Sequence, residues 1–119
     1  MLRRLVEVTL FTSDVKGTVA FYRDFLGVSP AWESEEFVQF ELDGVKLLIH
    51  VKGDSGPSLG YPPDVDHIAF GVKDVDDACR ELRQKGLKME YGPKDFEWGR
   101  SAYFKDPAGR MVELHQITG

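Results

Sequence analysis

Glu7, His67 and Glu113 are residues whose side chains could do chemistry together. Each sits inside a strand-like run: LVEVTLF, DVDHIAFGV and DPAGRMVELHQ. A fourth run, DGVKLLIHV, carries Leu48 at the matching place. Two carboxylates and one neutral imidazole are competent ligands for a divalent ion. Three ligands leave positions open for water or substrate, which metal-assisted catalysis needs. Such an ion could polarise paired substrate oxygens and stabilise an enediolate-type anion, with Glu7 or Glu113 as the base if one of them stays unbound. Oxygen-rich ligation favours Mn, Mg or Zn, with Ni and Fe also in range. The plainer alternative is that all three are solvated or hydrogen-bonded strand residues, and residue type alone leaves both readings open.

Several neighbours extend the candidate site. His50 and His115 lie two residues beyond Leu48 and Glu113, so alternation puts them on the same strand faces. His50 could supply the ligand that Leu48 does not; either histidine could touch substrate or sit near solvent at a strand end. Leu48, Phe96, Trp98 and Tyr103 could line an apolar pocket suited to a flat ligand. Arg100 could clamp a carboxylate or phosphate, or form a surface ion pair. Cys79 reads as a small core or boundary residue.

The elements that must position these residues follow from periodicity and punctuation. Residues 4–12 alternate and are rich in β-branched types, which predicts a strand. Ser13 or Asp14 can cap a helix whose apolar face is Val15, Val19, Tyr22 and Leu26, and Gly27 stops it. Strands are expected at 28–33, 36–42 and 45–51, with Asp43-Gly44 as a two-residue hairpin turn. The Gly-, Pro- and Ser-rich stretch 53–64 reads as a linker. The pattern then restarts: a strand at 65–72, a helix capped by Asp74 with Val75, Ala78 and Leu82 inward, and Gly86 as its stop. Strands are expected at 87–91, 100–105 and 110–117, with Asp106–Gly109 as a turn.

This restart is an internal repeat. EVTLFTSDV at 7–15 matches HIAFGVKDV at 67–75, and DGVKLL at 43–48 matches AGRMVE at 108–113. The equivalent pairs are Glu7 with His67, Leu48 with Glu113, and His50 with His115. The offset grows from sixty residues to sixty-five, which places a loop insertion most simply in 92–99, with Phe96 and Trp98 as loop aromatics. A helix on a sheet of about four strands is too small to close a core alone. Two such modules side by side can. The expected fold is therefore α+β, with two tandem βαβββ modules forming a cupped, mostly antiparallel sheet. A single domain over 1–119 is expected, with modules at about 1–52 and 65–119.

Composition excludes several classes. The chain of 119 residues is 42% hydrophobic and 29% charged, ordinary for a globular protein. Fifteen basic against 20 acidic residues give a net charge of −5, so no nucleic-acid footprint is present. No apolar run is long enough to span a membrane, and MLRRLVEV lacks a secretory apolar segment. A single cysteine excludes an intrachain disulfide and an all-thiolate metal cluster. A cytoplasmic location is the expectation.

The opening EVTLFTSDVKGTVAFYRDFLG and the closing WGRSAYFKDPAGRMVEL, with its Asp-Pro-x-Gly-x-x-x-Glu, resemble the vicinal oxygen chelate superfamily. That group includes glyoxalase I, fosfomycin and bleomycin resistance proteins, methylmalonyl-CoA epimerase and extradiol dioxygenases, and the likeness spans 4–117. The resemblance implies ligands at Glu7, His67 and Glu113, and a departure at Leu48, where glyoxalase I has a glutamate. It implies a metal-dependent lyase, isomerase or epimerase for a small oxygenated substrate, with a metal-free sequestering protein as the rival and a dioxygenase third. It also implies a homodimer with the site shared between chains: Glu7 and Leu48 of one face His67 and Glu113 of the other.

Overall fold

The computed structural model describes residues 4–53 and 60–117. The chain divides into two compact units: Glu7–Asp66, and the chain from His67 onward together with the residues up to Val6. Each holds one helix and four strands or the greater part of them, so the α+β class and the tandem βαβββ order both stand.

In the first module the strands are β1 (Leu5–Thr12), β2 (Trp32–Glu33), β3 (Phe37–Leu42) and β4 (Val45–Val51), with helix α1 (Val15–Leu26) after β1. β1 runs parallel to β4, while β3 pairs antiparallel with both β4 and β2. Asp14 caps α1, its carboxylate accepting from Gly17 N–H at 2.9 Å. Gly27 ends the helix at φ 69°, a left-handed conformation that glycine adopts without a Cβ penalty. The expected helix face is the observed one: Val15, Val19, Tyr22 and Leu26 pack with Val8, Leu10, Val38, Phe40, Leu47 and Ile49. Alternation therefore leaves Glu7, Thr9 and Phe11 of β1, with Leu48 and His50 of β4, on the face away from α1.

The second module repeats this plan. Its strands are β5 (His67–Val72), β6 (Tyr91–Phe96), β7 (Gly99–Lys105) and β8 (Met111–Gln116), with α2 (Val75–Gln84) after β5. β5 is parallel to β8, and β7 is antiparallel to β8 and β6. Asp74 caps α2 through Asp77 N–H at 3.1 Å. Val75, Ala78, Cys79 and Leu82 bury against Val72, Ala102 and Leu114. Cys79 is fully buried, with its thiol 3.6 Å from Met89 Sδ, and burial pushes the thiol pKa up. Its expected place in the core is the observed one. Gly71 is required by close approach: a Cβ there would lie 2.8 Å from Val6 Cγ1.

Two expectations need correction. The strand expected at 28–33 is reduced to Trp32–Glu33, because Ser29-Pro30 precedes it and Pro30 has no N–H for a ladder. The strand expected at 87–91 lies instead at Tyr91–Phe96, on residues read as a loop. Gly92-Pro93 hid it; β6 bears that proline by pairing with β7 alone and shifting register between Tyr91 and Lys94. Of the stretch 53–64, residues 54–59 lie outside the described residues; Gly53 and 60–64 form no helix or strand.

Candidate functional site

The second module gathers a polar cluster on the sheet face away from α2. The parallel register of β5 and β8 sets His67 beside Met111, and Ala69 beside Glu113. β7 places Tyr103 beside Glu113 and Ser101 beside His115. His67 Nε2 lies 3.5 Å from Glu113 Oε1, and their side chains are only 7% and 5% exposed. The other carboxylate oxygen, Oε2, accepts a hydrogen bond from Ser101 Oγ at 2.8 Å. Ser101 is fully buried, and its Oγ is also 3.2 Å from His115 Nδ1. A buried carboxylate is costly unless it is paired and hydrogen-bonded. Here a hydroxyl and two imidazoles face it.

The spacing of His67 and Glu113 can be tested against a metal. Bonds of roughly 2.1 Å to imidazole nitrogen and carboxylate oxygen, at a tetrahedral angle, set two ligand atoms about 3.4 Å apart. The observed 3.5 Å matches that edge and exceeds the ~2.9 Å usual for an N–H···O bond. The pair fits a divalent ion.

In the first module, Glu7 carries the equivalent arrangement in shorter form. Thr9, which is buried, donates from Oγ1 to Glu7 Oε2 at 2.9 Å. Both carboxylates singled out from the sequence thus have a hydroxyl holding one oxygen. Neither hydroxyl was foreseen. Thr9 could have been found as the residue two further along the same strand face; Ser101 is brought to Glu113 only by the pairing of β7 with β8, which sequence alone does not reveal.

The remaining candidates separate. Leu48 is half-buried on β4 beside Gln39, with no side-chain donor to offer. His50 sits between aromatic rings, 4.9 Å from Phe11 and 5.8 Å from Phe37, and its Nδ1 pairs with the Val51 carbonyl at 2.8 Å. Tyr103 is buried, with its ring edge-on to His67 at 6.4 Å. Phe96 packs edge-on against Tyr103 at 6.0 Å and stacks on Trp98 at 4.7 Å and 7°. Both were expected in a loop; Phe96 ends β6, and Trp98, half exposed, occupies the turn before β7. Together these rings form an aromatic wall leading to His67.

Arg100 is placed elsewhere. It grips Asp76 of α2 with two hydrogen bonds of 2.8 and 3.0 Å and reaches Asp95 at 3.1 Å. These bonds hold the Asp76 carboxyl below its ordinary range and raise the guanidinium further. The ion-pair alternative is the one observed, and Arg100 is committed to it rather than free to clamp an anion.

Comparison with known proteins agrees with this fold. The pattern of the Glyoxalase/Bleomycin resistance protein/Dioxygenase superfamily matches residues 4–114, and the chain belongs to that superfamily, the vicinal oxygen chelate group. It is 30% identical to the YraH protein of Bacillus subtilis (strain 168), over 96% of this chain and 98% of that one. It is 30% identical to the metallothiol transferase FosB of Staphylococcus haemolyticus (strain JCSC1435), over 97% of this chain and 84% of the relative. The crystal structure of methylmalonyl-CoA epimerase from Mycobacterium tuberculosis shares the fold, with a TM-score of 0.73 at 19% identity, covering 99% of this chain and 90% of that one. No helix among the described residues is long and apolar enough to cross a membrane.

Proposed function

We propose that the protein is a metal-dependent enzyme acting on a small oxygenated substrate, as a lyase, isomerase or epimerase. The observation that carries this reading is the Glu113 carboxylate: buried, anchored on one oxygen by Ser101, and presenting the other 3.5 Å from His67 Nε2. Glu7 is the third ligand in this reading, giving a set of one imidazole nitrogen and two carboxylate oxygens. The 30% identity to a metallothiol transferase supports a metal-dependent reading, although it leaves the reaction open.

A divalent ion in such a site supplies Lewis acidity toward substrate oxygens. The chain's own residues then do the rest. His67 and Glu113 hold their donor atoms on rigid strands, which limits reorganisation during reaction. The wall of Tyr103, Phe96 and Trp98 covers the apolar part of a substrate and excludes water. Glu7 or Glu113 serves as the proton acceptor when not engaged as a ligand. Two carboxylates to one histidine reverse the ratio of the facial triad of iron oxygenases, so ring cleavage ranks below the other reactions.

The rival is a metal-free binder that sequesters a drug or hydrophobic metabolite. It is favoured by Leu48, which removes a fourth ligand, and by the half-exposed Trp98 stacked on Phe96. Metal analysis separates the two. Protein purified without chelators or a metal-affinity step should carry about one divalent ion per site, lost in His67→Ala and Glu113→Ala. No uptake even after incubation with Mn, Ni, Zn and Fe would overturn the enzyme in favour of the binder.

A further inference from the structure

We infer that Ser101 is a positioning residue that fixes the orientation of the Glu113 carboxylate, and that His115 in turn fixes Ser101. The inference rests on the metal reading above and assigns the device that presents one carboxylate oxygen toward His67.

The argument begins with proton counting. A serine hydroxyl has one proton to give, and an ionised carboxylate can only accept. The 2.8 Å contact from Ser101 Oγ to Glu113 Oε2 therefore uses the serine's proton. The 3.2 Å contact between Ser101 Oγ and His115 Nδ1 must then run the other way, with Nδ1–H donating to Oγ. His115 Nδ1 lies 3.7 Å from Glu113 Oε2, too far for a direct hydrogen bond, so the serine carries the connection. The result is a directed chain: imidazole N–H to hydroxyl, hydroxyl to Oε2.

Geometry makes this chain rigid. Ser101 is fully buried on β7, flanked by β6 and β8, and pairs directly with His115 across the strands. With Oε2 tied, the carboxylate plane cannot rotate freely, and Oε1 keeps its aim at His67. Partners that orient a ligand in this way typically contribute about 10–100-fold in metal affinity.

Two isosteric substitutions isolate the hydroxyl. Ser101→Thr retains it, and Ser101→Val has the same branched shape without it, so any packing cost is shared. Cobalt(II) is the probe, because its visible absorption reports ligand geometry as well as occupancy. The expected result is cobalt binding about 10–100-fold weaker in Ser101→Val than in Ser101→Thr, with an altered visible spectrum. Equal affinity and identical spectra in the two variants would overturn the positioning role. Wild-type protein that takes up no cobalt would instead overturn the metal reading, a different result. A metal-free measurement covers that case: long-range proton–nitrogen NMR of the wild type should find the neutral His115 ring protonated on Nδ1. A ring protonated on Nε2 would contradict the chain of donors whatever the metal result.

Discussion

Glu113 is the residue on which the account turns, and its surroundings explain why. It is a charged group held at 4% exposure, a position that proteins rarely give to glutamate without a partner. Its neighbours orient it and leave one oxygen toward an imidazole, which is how a ligand is built. Residue types and the repeat are what single out Glu113, His67 and Glu7 as candidates in the sequence. Ser101 was not legible there, because a serine on a strand carries no signal until its cross-strand neighbour is known; Thr9, two residues from Glu7 on the same strand face, was within reach of alternation alone. Arg100 is a different case: its type left an anion clamp and an ion pair both open, and α2 decides for the pair by placing Asp76 within its reach. That pair makes a pH prediction. The folded-state pKa of Asp76 is lowered below 3.8 by Arg100, so its stabilisation is present above about pH 4 and is lost as pH falls through the folded value. Acid unfolding should therefore be flatter in Asp76→Asn than in the wild type, as followed by circular dichroism between pH 5 and 2; equal slopes would dismiss the pair. At the same scale, Cys79 should resist maleimide in the native protein and react only on unfolding, since it is fully buried and its thiol pKa is raised.

At the scale of the elements, the two helices were readable because their start, stripe and stop agree. Asp14 with Gly27, and Asp74 with the apolar run beginning at Val75, are local signals that need no tertiary knowledge. Removing the cap in Asp14→Ala should cost about 1 kcal/mol of stability in urea unfolding. The α1 face was equally plain, because Val15, Val19, Tyr22 and Leu26 recur at helical spacing. Strands were less legible where proline intervened. Tyr91–Phe96 carries Gly92-Pro93, a pattern that reads as a breaker, and only its edge position with a register shift reconciles it with a ladder. That misreading moved Phe96 into a loop, whereas Trp98 does lie in the turn between β6 and β7. The hairpin β6–β7 also accounts for the growing repeat offset: Trp32 and Tyr91 pair with equivalent residues, Gln39 and Tyr103, so the extra residues lie between Tyr91 and Tyr103.

At the scale of the whole molecule, the repeat is the organising fact. Two βαβββ modules each place a carboxylate or imidazole on the first strand, and the second module adds Glu113 on its last. The proposed ligand set takes Glu7 from one module and His67 and Glu113 from the other, so its formation depends on which modules meet. If the protein is a homodimer with shared sites, mixing Glu7→Ala with Glu113→Ala and allowing subunit exchange should restore one metal per mixed dimer. If each site lies within a single chain, every site in the mixture keeps one lesion and none is restored. Light scattering at micromolar concentration supplies the companion measurement, because a monomer excludes the shared arrangement. The most direct test of the central claim is metal-dependent thermal stabilisation of wild type against Glu113→Gln, which keeps the side-chain shape while removing the charge. A ligand at 100 times its Kd adds about 2.7 kcal/mol to folding stability. The wild-type Tm should rise on adding Mn or Zn while that of Glu113→Gln stays fixed; identical responses in the two proteins would contradict a metal centre at Glu113.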